Sequence, residues 1–465
     1  MGDRLPDVFD MSHRDSRALL VEAAGRAADY IERLDARSVG PVEGAVDRLA
    51  QALGGPLPAE PGRDGDVLAF IDAFGSPATV ASAGGRYFGF VTGGALPVTV
   101  AAQFLATAWD QSSFNFTSSP AVALFEDAAL RWIAEVFGLP PETGGALVTG
   151  ATMANFTCLA AARNHVLKQY GWNADRDGLM GAPEISVVLG EEAHATLYKV
   201  LSLLGLGRDR VIKVPADRQG RMRADCLPEI GGPAIVCIQA GNVNSGAFDP
   251  AGEIIGWAQS AGAWVHVDGA FGLWALTSPD MAHLADAFRR ADSWATDAHK
   301  CLNVPYDSGI ALVRDHQALA AAMSITGAYL LPSDRRDAID YTPESSRRAR
   351  AIEVWAALKS LGRTGLADLV SRCCRHARRF AEALDAAGVE ILNDVVLNQV
   401  VAAFGDAERT ARVIRAIQQD GTCWCGGTTW QGRAAMRISV SSWATTDADV
   451  ELSAKAIIDA NRRCN

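Results

Sequence analysis

A lysine stands directly after a histidine at the end of Thr296-Asp-Ala-His-Lys300, between two apolar, strand-like runs at 293–296 and 309–313. Upstream by 32 residues, Asp268 closes the run Ala263-Trp-Val-His-Val and is followed by Gly269-Ala270. A lysine amine can condense with an aldehyde. A buried carboxylate can keep a pyridine nitrogen protonated, so that the ring draws electrons out of a bond next to it. Pyridoxal 5′-phosphate (PLP) chemistry needs both groups. Either one alone is a weak signal, since Lys300 could be a surface lysine and Asp268 could cap a turn. Their order and separation, each at a strand end, make the pair specific.

Two further segments suit the same cofactor. Gly144-Gly-Ala-Leu-Val-Thr-Gly150-Ala-Thr152 reads as a strand, a tight turn and the start of a helix over 153–168. Free N–H groups at a helix start, the positive end of its dipole and the Thr152 hydroxyl make a seat for a phosphate, with Ala151 contributing its backbone N–H. No Gly-Lys-Ser/Thr follows, so this is not a nucleotide-phosphate loop of the Walker kind. Gly190-Glu-Glu-Ala-His194 joins a strand at 185–189 to a helix at 195–204, where His194 can lay its ring on a pyridine. His266 shares a strand face with Asp268 and is read as structural or supporting. His-x-Asp without a third ligand nearby is weak evidence for metal, and none is expected.

With these residues in order, the chain resembles the group II PLP-dependent decarboxylases, the aromatic amino acid, glutamate and histidine decarboxylases of the fold type I superfamily. The resemblance runs over 86–450 and includes Gly241-Asn-Val-Asn-Ser-Gly-Ala-Phe-Asp249. The family has Asn-Pro before His-Lys where this chain has Asp297-Ala298. The resemblance implies Lys300 as the cofactor lysine, Asp268 as the partner of the ring nitrogen and His194 as the stacking residue. It also implies His299 near the phosphate, Ala270 leaving room beside the ring, and Asn242 near the cofactor's 3′ oxygen, because Val243 replaces the usual threonine. On the substrate side it implies Phe90 and Thr92 in the pocket, Thr92 near the α-carboxylate. Phe114 would lie on a loop reaching a neighbouring subunit, and Arg437 in Met436-Arg-Ile-Ser-Val440 would bind a substrate carboxylate. Two tyrosines, Tyr329 and Tyr341, lie on a lid-like segment broken by Pro332 and Pro343. Asp340-Tyr341 before Arg347-Arg348 resembles the family's proton donor.

The elements that must hold these residues follow from periodicity. Apolar runs at 146–148, 185–189, 211–214, 234–238, 264–267, 293–296 and 310–313 alternate with helical stretches. This predicts an α/β fold with a seven-stranded, mostly parallel sheet and helices on both faces, and the resemblance implies that it is of the fold type I PLP-transferase-like kind. Ligands of such sheets sit beyond the carboxyl ends of the strands. The expected organisation is a helical N-terminal arm at 1–85, which the resemblance implies serves dimerisation, a large PLP-binding domain at 86–345, and a small C-terminal α+β domain at 346–465 with a long helix at 347–361 and strands near 400–404 and 435–440.

Composition narrows the partners. Among 465 residues, 54 acidic side chains outweigh 43 basic ones, so neither nucleic acid nor an anionic membrane is expected to bind. Nine cysteines without zinc spacing point to a reducing cytoplasm. The N-terminus has no apolar core segment, so no secretory leader is expected. The stretch 87–109 is free of charge for 23 residues, long enough to span a bilayer. Its Gly, Pro and Thr content favours loop and helix at a subunit contact, hence a homodimer with shared active sites.

The expected activity is α-decarboxylation of an L-amino acid, with an aromatic or apolar side chain favoured by Phe90, Phe114 and Phe116. Arg347, Arg348 and Arg350 leave an acidic substrate open. Desolvation beside other cations is expected to lower the Lys300 pKa toward the neutral amine that attacks aldehydes. Three alternatives remain at this point: an aldehyde synthase coupling decarboxylation to oxidative deamination, another fold type I lyase or transaminase, and a PLP-binding protein without turnover.

Overall fold

The structure is a computed structural model, and it describes residues 13–325 and 335–464. Seven strands form the central sheet: β1 (Gly144–Val148), β2 (Ser186–Gly190), β3 (Ile212–Val214), β4 (Ala234–Gln239), β5 (Trp264–Asp268), β6 (Ser293–Asp297) and β7 (Gly309–Val313). Their order is β1-β7-β6-β5-β4-β2-β3. Strands β2 to β6 pair in parallel, whereas β7 runs antiparallel to β1 and β6. Every residue of β4 to β7 is buried. Strands covered on both faces must read as unbroken apolar runs, which is why all seven lie within two residues of their sequence-predicted positions. What the apolar pattern undershoots is the last residue of β4, β5 and β6, where Gln239, Asp268 and Asp297 close the strands.

The helix Ala151–Gln169 packs on this sheet through Ala154, Cys158, Ala161 and Ala162. Small side chains let it approach closely, and the approach is tightest at its start. A Cβ on Gly309, the first residue of β7, would overlap the backbone of Gly150.

A second, antiparallel sheet joins β8 (Glu390–Ile391), β9 (Gln399–Ala403), β10 (Gly426–Trp430) and β11 (Arg433–Ser439) in the order β10-β11-β9-β8. The helices Ala407–Asp420 and Asp447–Arg463 pack against it. Residues 87 and 88 belong with this lobe: Tyr87 bridges Trp424, and Phe88 is buried among its side chains. The long helix ends near 361 as expected. The helical span Ala351–Ala386 is two helices meeting at a kink at Gly362 (φ 59°, ψ −172°). Ile352, Val354 and Leu358 pack in the large core, while Ala377, Phe380 and Leu384 pack under the small sheet. Two helices joined at Gly362 therefore tie the two sheets together.

Glu126, on the helix Pro120–Phe137, meets Arg347 at 2.7 and 3.2 Å, both side chains fully enclosed. Arg347 also donates to the Leu147 carbonyl, the fourth residue of β1. Removing one partner leaves a buried charge without its counterion, which typically costs about 3–5 kcal/mol. Glu126→Ala is expected to lose stability on that scale, read as a lower denaturant midpoint with an unchanged slope.

Candidate active site

A cleft opens where Gln239, Asp268 and Asp297 end their strands and Gly150 ends the turn after β1. Eight residues singled out from the sequence line it: Phe90, Ala151, Thr152, His194, Asp268, Ala270, His299 and Lys300. Thr196, Gln239, Val243, Phe271, Asp297 and Tyr306 join them.

Lys300 enters from the turn after β6, and its Nζ lies 2.8 Å from Asp297 Oδ2. Burial pushes its pKa down, but the Asp297 and Asp268 carboxylates outweigh that and hold it above the ordinary value. The expected lowering is thus not what this environment produces, because the nearest charges are anions and not cations. Lys300 is fixed from behind by the loop after Phe90. A Cβ on Gly93 would overlap the Lys300 carbonyl oxygen, so only glycine fits there. Phe90 and Val91 take left-handed backbone (φ 52° and 58°), a conformation that costs energy for such side chains and persists where the surroundings enforce it.

Asp268 is buried, and burial pushes its carboxyl above the usual range while His194 and Lys300 pull it back. A cation placed against it favours the charged form. Its Oδ2 accepts from Asn155 Nδ2 at 3.4 Å and its Oδ1 from the Ala270 N–H at 3.4 Å. Behind Asn155 runs a chain of bonds with one consistent direction. Trp264 Nε1 can only donate, and does so to Ser293 Oγ at 2.9 Å. The Ser293 hydroxyl then serves His266 Nδ1 (2.9 Å), leaving His266 Nε2–H for Asn155 Oδ1 (2.8 Å). The Asn155 amide is thereby turned to donate toward Asp268. Burial pushes His266 down to about 3, so it stays neutral in this relay. The sequence reading of His266 as supporting agrees with this position. Asn155 was not singled out, although a polar residue one helical turn after Ala151, facing the sheet, was a usable signal.

His194 caps the helix Ala195–Leu203: its Nδ1 accepts from the Thr196 N–H at 3.3 Å and sits 2.7 Å from Thr196 Oγ1. Burial pushes its pKa down, toward a neutral ring facing the cleft. At the start of the helix Ala151–Gln169, the Ala151 N–H donates to Asp297 Oδ1 at 2.6 Å. His299 Nδ1 accepts from the Ser308 N–H at 3.1 Å, and the Tyr306 ring lies against the imidazole with centroids 4.3 Å apart.

Five expected residues are not among the lining residues. Asn242 spends its side chain on its own turn, accepting from the N–H groups of Asn244 and Ser245, so Val243 faces the cleft instead. Thr92 is buried behind Phe90, its N–H bonded to the Gly89 carbonyl. Arg437 borders the site: it donates to the Val243 carbonyl at 3.1 Å, and its charge lowers the His194 pKa. Phe114 lies on a loop whose carbonyl accepts from the Ile339 N–H. Tyr341 sits under the Arg336 guanidinium, 4.4 Å from its ring centre, beside Gly145 and His316. Tyr329 lies outside the described residues. The three arginines that left an acidic substrate open are engaged: Arg347 with Glu126, Arg348 with Glu353 at 3.0 Å, and Arg350 with Asp307 at 2.9 Å. Tyr306, six residues after Lys300, was legible only as part of Asn303-Val-Pro-Tyr-Asp307.

A family profile described as the pyridoxal-dependent decarboxylase conserved domain matches residues 84–404. The chain belongs to the pyridoxal-dependent decarboxylase family, as its motif order implied. It is 30% identical over 311 residues to an acidic amino acid decarboxylase of Bos taurus, covering 64% of this chain and 59% of that protein. It is 29% identical over 369 residues to an L-2,4-diaminobutyrate decarboxylase of Rhizobium meliloti, covering 74% and 72%. The crystal structure of Oryza sativa TDC with PLP and tryptamine shares its fold, with a TM-score of 0.89 at 22% identity over 98% of this chain and 99% of that one.

The residues present fit the family's cofactor, PLP. The cleft holds a lysine amine, a buried carboxylate braced by Asn155, a flat imidazole and a helix N-terminus. A Cβ on Gly150 would come within 3.4 Å of His299 Cε1 and 3.5 Å of Asp297 Oδ1, at the end where a phosphate would sit. Among the described residues no group of three His, Cys, Asp or Glu is gathered to hold a metal, and no helix is long and apolar enough to cross a membrane.

Proposed function

We propose that this chain is a PLP-dependent carboxy-lyase that removes the α-carboxylate of an L-amino acid to give an amine and carbon dioxide. The observation that carries the reading is that Lys300 and the braced carboxylate of Asp268 open into one cleft at the N-terminus of the helix Ala151–Gln169. Bound there, PLP supplies an aldehyde for amines and a ring that withdraws electrons from the substrate α-carbon. Lys300 would hold the cofactor. Asp268, aimed by Asn155 and His266, would keep the proton on the ring nitrogen. His194 and Ala270 would bound the ring on its faces, while Ala151, Thr152 and His299 would receive the phosphate.

Arg437 is the basic group at the substrate end. Among the described residues no carboxylate lies within ion-pair distance of it, which leaves it available to a substrate carboxylate. Phe90, whose ring meets Trp424 at 5.5 Å, gives the cleft an apolar wall and favours an aromatic or apolar side chain. The chain works as a homodimer in this proposal. Phe104, Leu105 and Trp109 stand exposed on the helix Pro97–Trp109, as do Leu20 and Val21 on the helix His13–Glu32, and a partner would cover such surface. Phe114, Thr92 and Tyr341 would act at an edge of the site completed by that partner. All nine cysteines are free, in keeping with a reducing cytoplasm.

The test is product analysis with a panel of L-amino acids, following carbon dioxide, amine, ammonia and peroxide. Amine and carbon dioxide in equal amounts are expected; carbon dioxide with aldehyde, ammonia and peroxide in place of the amine would assign an aldehyde synthase, and no carbon dioxide from any substrate would overturn the reading. The proton that replaces the carboxylate at the α-carbon needs a phenol or similar acid within reach. Because Tyr306 is, among the described residues, the tyrosine lining the cleft, Tyr306→Phe is expected to slow amine formation by about 10²-fold, the low end for a general acid. A larger loss in Tyr341→Phe than in Tyr306→Phe would return that role to Tyr341, acting in a partner's cleft.

A further inference from the structure

Asp297 holds a place that the cofactor needs. Its carboxylate is buried at the end of β6, takes the Ala151 N–H at 2.6 Å and pairs with Lys300 at 2.8 Å. Ala151 is the first residue of a 19-residue helix, so its N–H is one of the free donors that bind phosphate. With the cleft empty, the carboxylate serves as the anion at that helix start and as the counterion of Lys300. Loading removes both compensations. The phosphate dianion would arrive at the same helix start, and Lys300 would leave to condense with the cofactor's aldehyde. Two of the ammonium protons would depart with the aldehyde oxygen as water and the third would stay on the nitrogen, so the lysine would supply none to Asp297.

Resting on the reading of this cleft as a PLP site, we propose that Asp297 couples cofactor binding to protonation: the phosphate is admitted as the Asp297 carboxylate takes up one proton from solvent. Two anions in one buried site cannot both stay ionised cheaply. The phosphate is the stronger base in water, but it would take over the helix N-terminus that favours its charge, and the carboxylate that loses both that N–H and Lys300 is the one left to be neutralised. The charged and titratable groups around it are few. His299 and Lys300 follow on its own turn, with His299 Nε2 3.6 Å away. Asp268 faces it from β5 and His194 from the start of the helix Ala195–Leu203, while Tyr306 and Asp307 face this turn from the following loop and Arg437 stands behind His194. His299 is the competing proton acceptor, and its geometry opposes that role. Its Nδ1 accepts from the Ser308 N–H, so protonation there would set two donors against each other. Asp268 is already matched to the ring nitrogen at the other end of the cofactor.

The experiment compares the cofactor-free full-length protein and its Asp297→Asn variant as each is loaded with PLP, recording an infrared difference spectrum at pH 8 and the affinity from pH 7 to 9. PLP phosphate is largely dianionic in this range, its second pKa being about 6. Wild type is expected to gain a protonated-carboxyl band on loading, one that shifts in heavy water and is missing from Asp297→Asn. Its affinity is expected to fall about tenfold more per pH unit than that of the variant, the slope of one linked proton. A wild-type spectrum without the band would overturn the proposal even if the variant failed to fold. So would a band, or an equal pH slope, that persisted in Asp297→Asn, since the proton would then reside elsewhere. Failure of wild type to take up PLP at any pH would instead bring down the reading of the cleft, and this inference with it.

Discussion

Lys300→Ala is expected to reduce amine formation by on the order of 10⁴-fold or more, the scale on which loss of a covalent catalytic side chain is felt. The amine has no substitute in the cleft, because the other basic groups there are the imidazoles of His194 and His299, one capping a helix and one bonded to Ser308. Asp297 would lose its counterion at the same time. The fold should survive, since Lys300 sits on a turn held by its backbone, which accepts from Asn303 and abuts Gly93. The measurement is single-turnover amine release beside circular dichroism. Activity within a factor of about ten of wild type would remove Lys300 from the chemistry.

Asp268→Ala is expected to cost about 10²–10³-fold in turnover, or roughly 3–4 kcal/mol, as when a preorganised electrostatic partner is removed from a transition state. Three features make this carboxylate preorganised: burial, the Ala270 N–H and the Asn155 amide aimed by His266. PLP should still bind, because the helix N-terminus and Lys300 are untouched. Asn155→Leu is expected to give a smaller loss in the same direction, since it removes the brace and leaves the charge. A variant of Asp268 that keeps more than about a tenth of wild-type turnover would contradict the role.

The large sheet was legible because burial on both faces keeps its strands mostly apolar, with His266 and Thr296 as buried exceptions. Asp268 and Lys300 were legible because they break that apolar pattern at its ends. What escaped was set by tertiary contact. Asn155 lies in a helix whose other buried residues are mostly apolar, and its use depends on His266, more than a hundred residues away in the chain. Strand β10, Gly426-Gly-Thr-Thr-Trp430, carries almost no apolar signal and is a strand because it pairs with β11 in register, Gly426 opposite Arg437. The helix expected to end near 361 does break at Gly362, and the second helix that follows it was not foreseen because its core lies under the small sheet. Asn242 was assigned by its place in a motif, yet its side chain is consumed by the turn that the motif builds. Asp297 was noted only as a departure from the family's Asn, and its position at the helix start was visible only in three dimensions.

The most direct test of the account is chemical. Wild-type protein loaded with PLP, reduced with borohydride and digested should carry the pyridoxyl group on the peptide containing Lys300, with loss of the yellow absorption. Recovery of the label on any other lysine, or no stable label from a protein that had taken up cofactor, would contradict it.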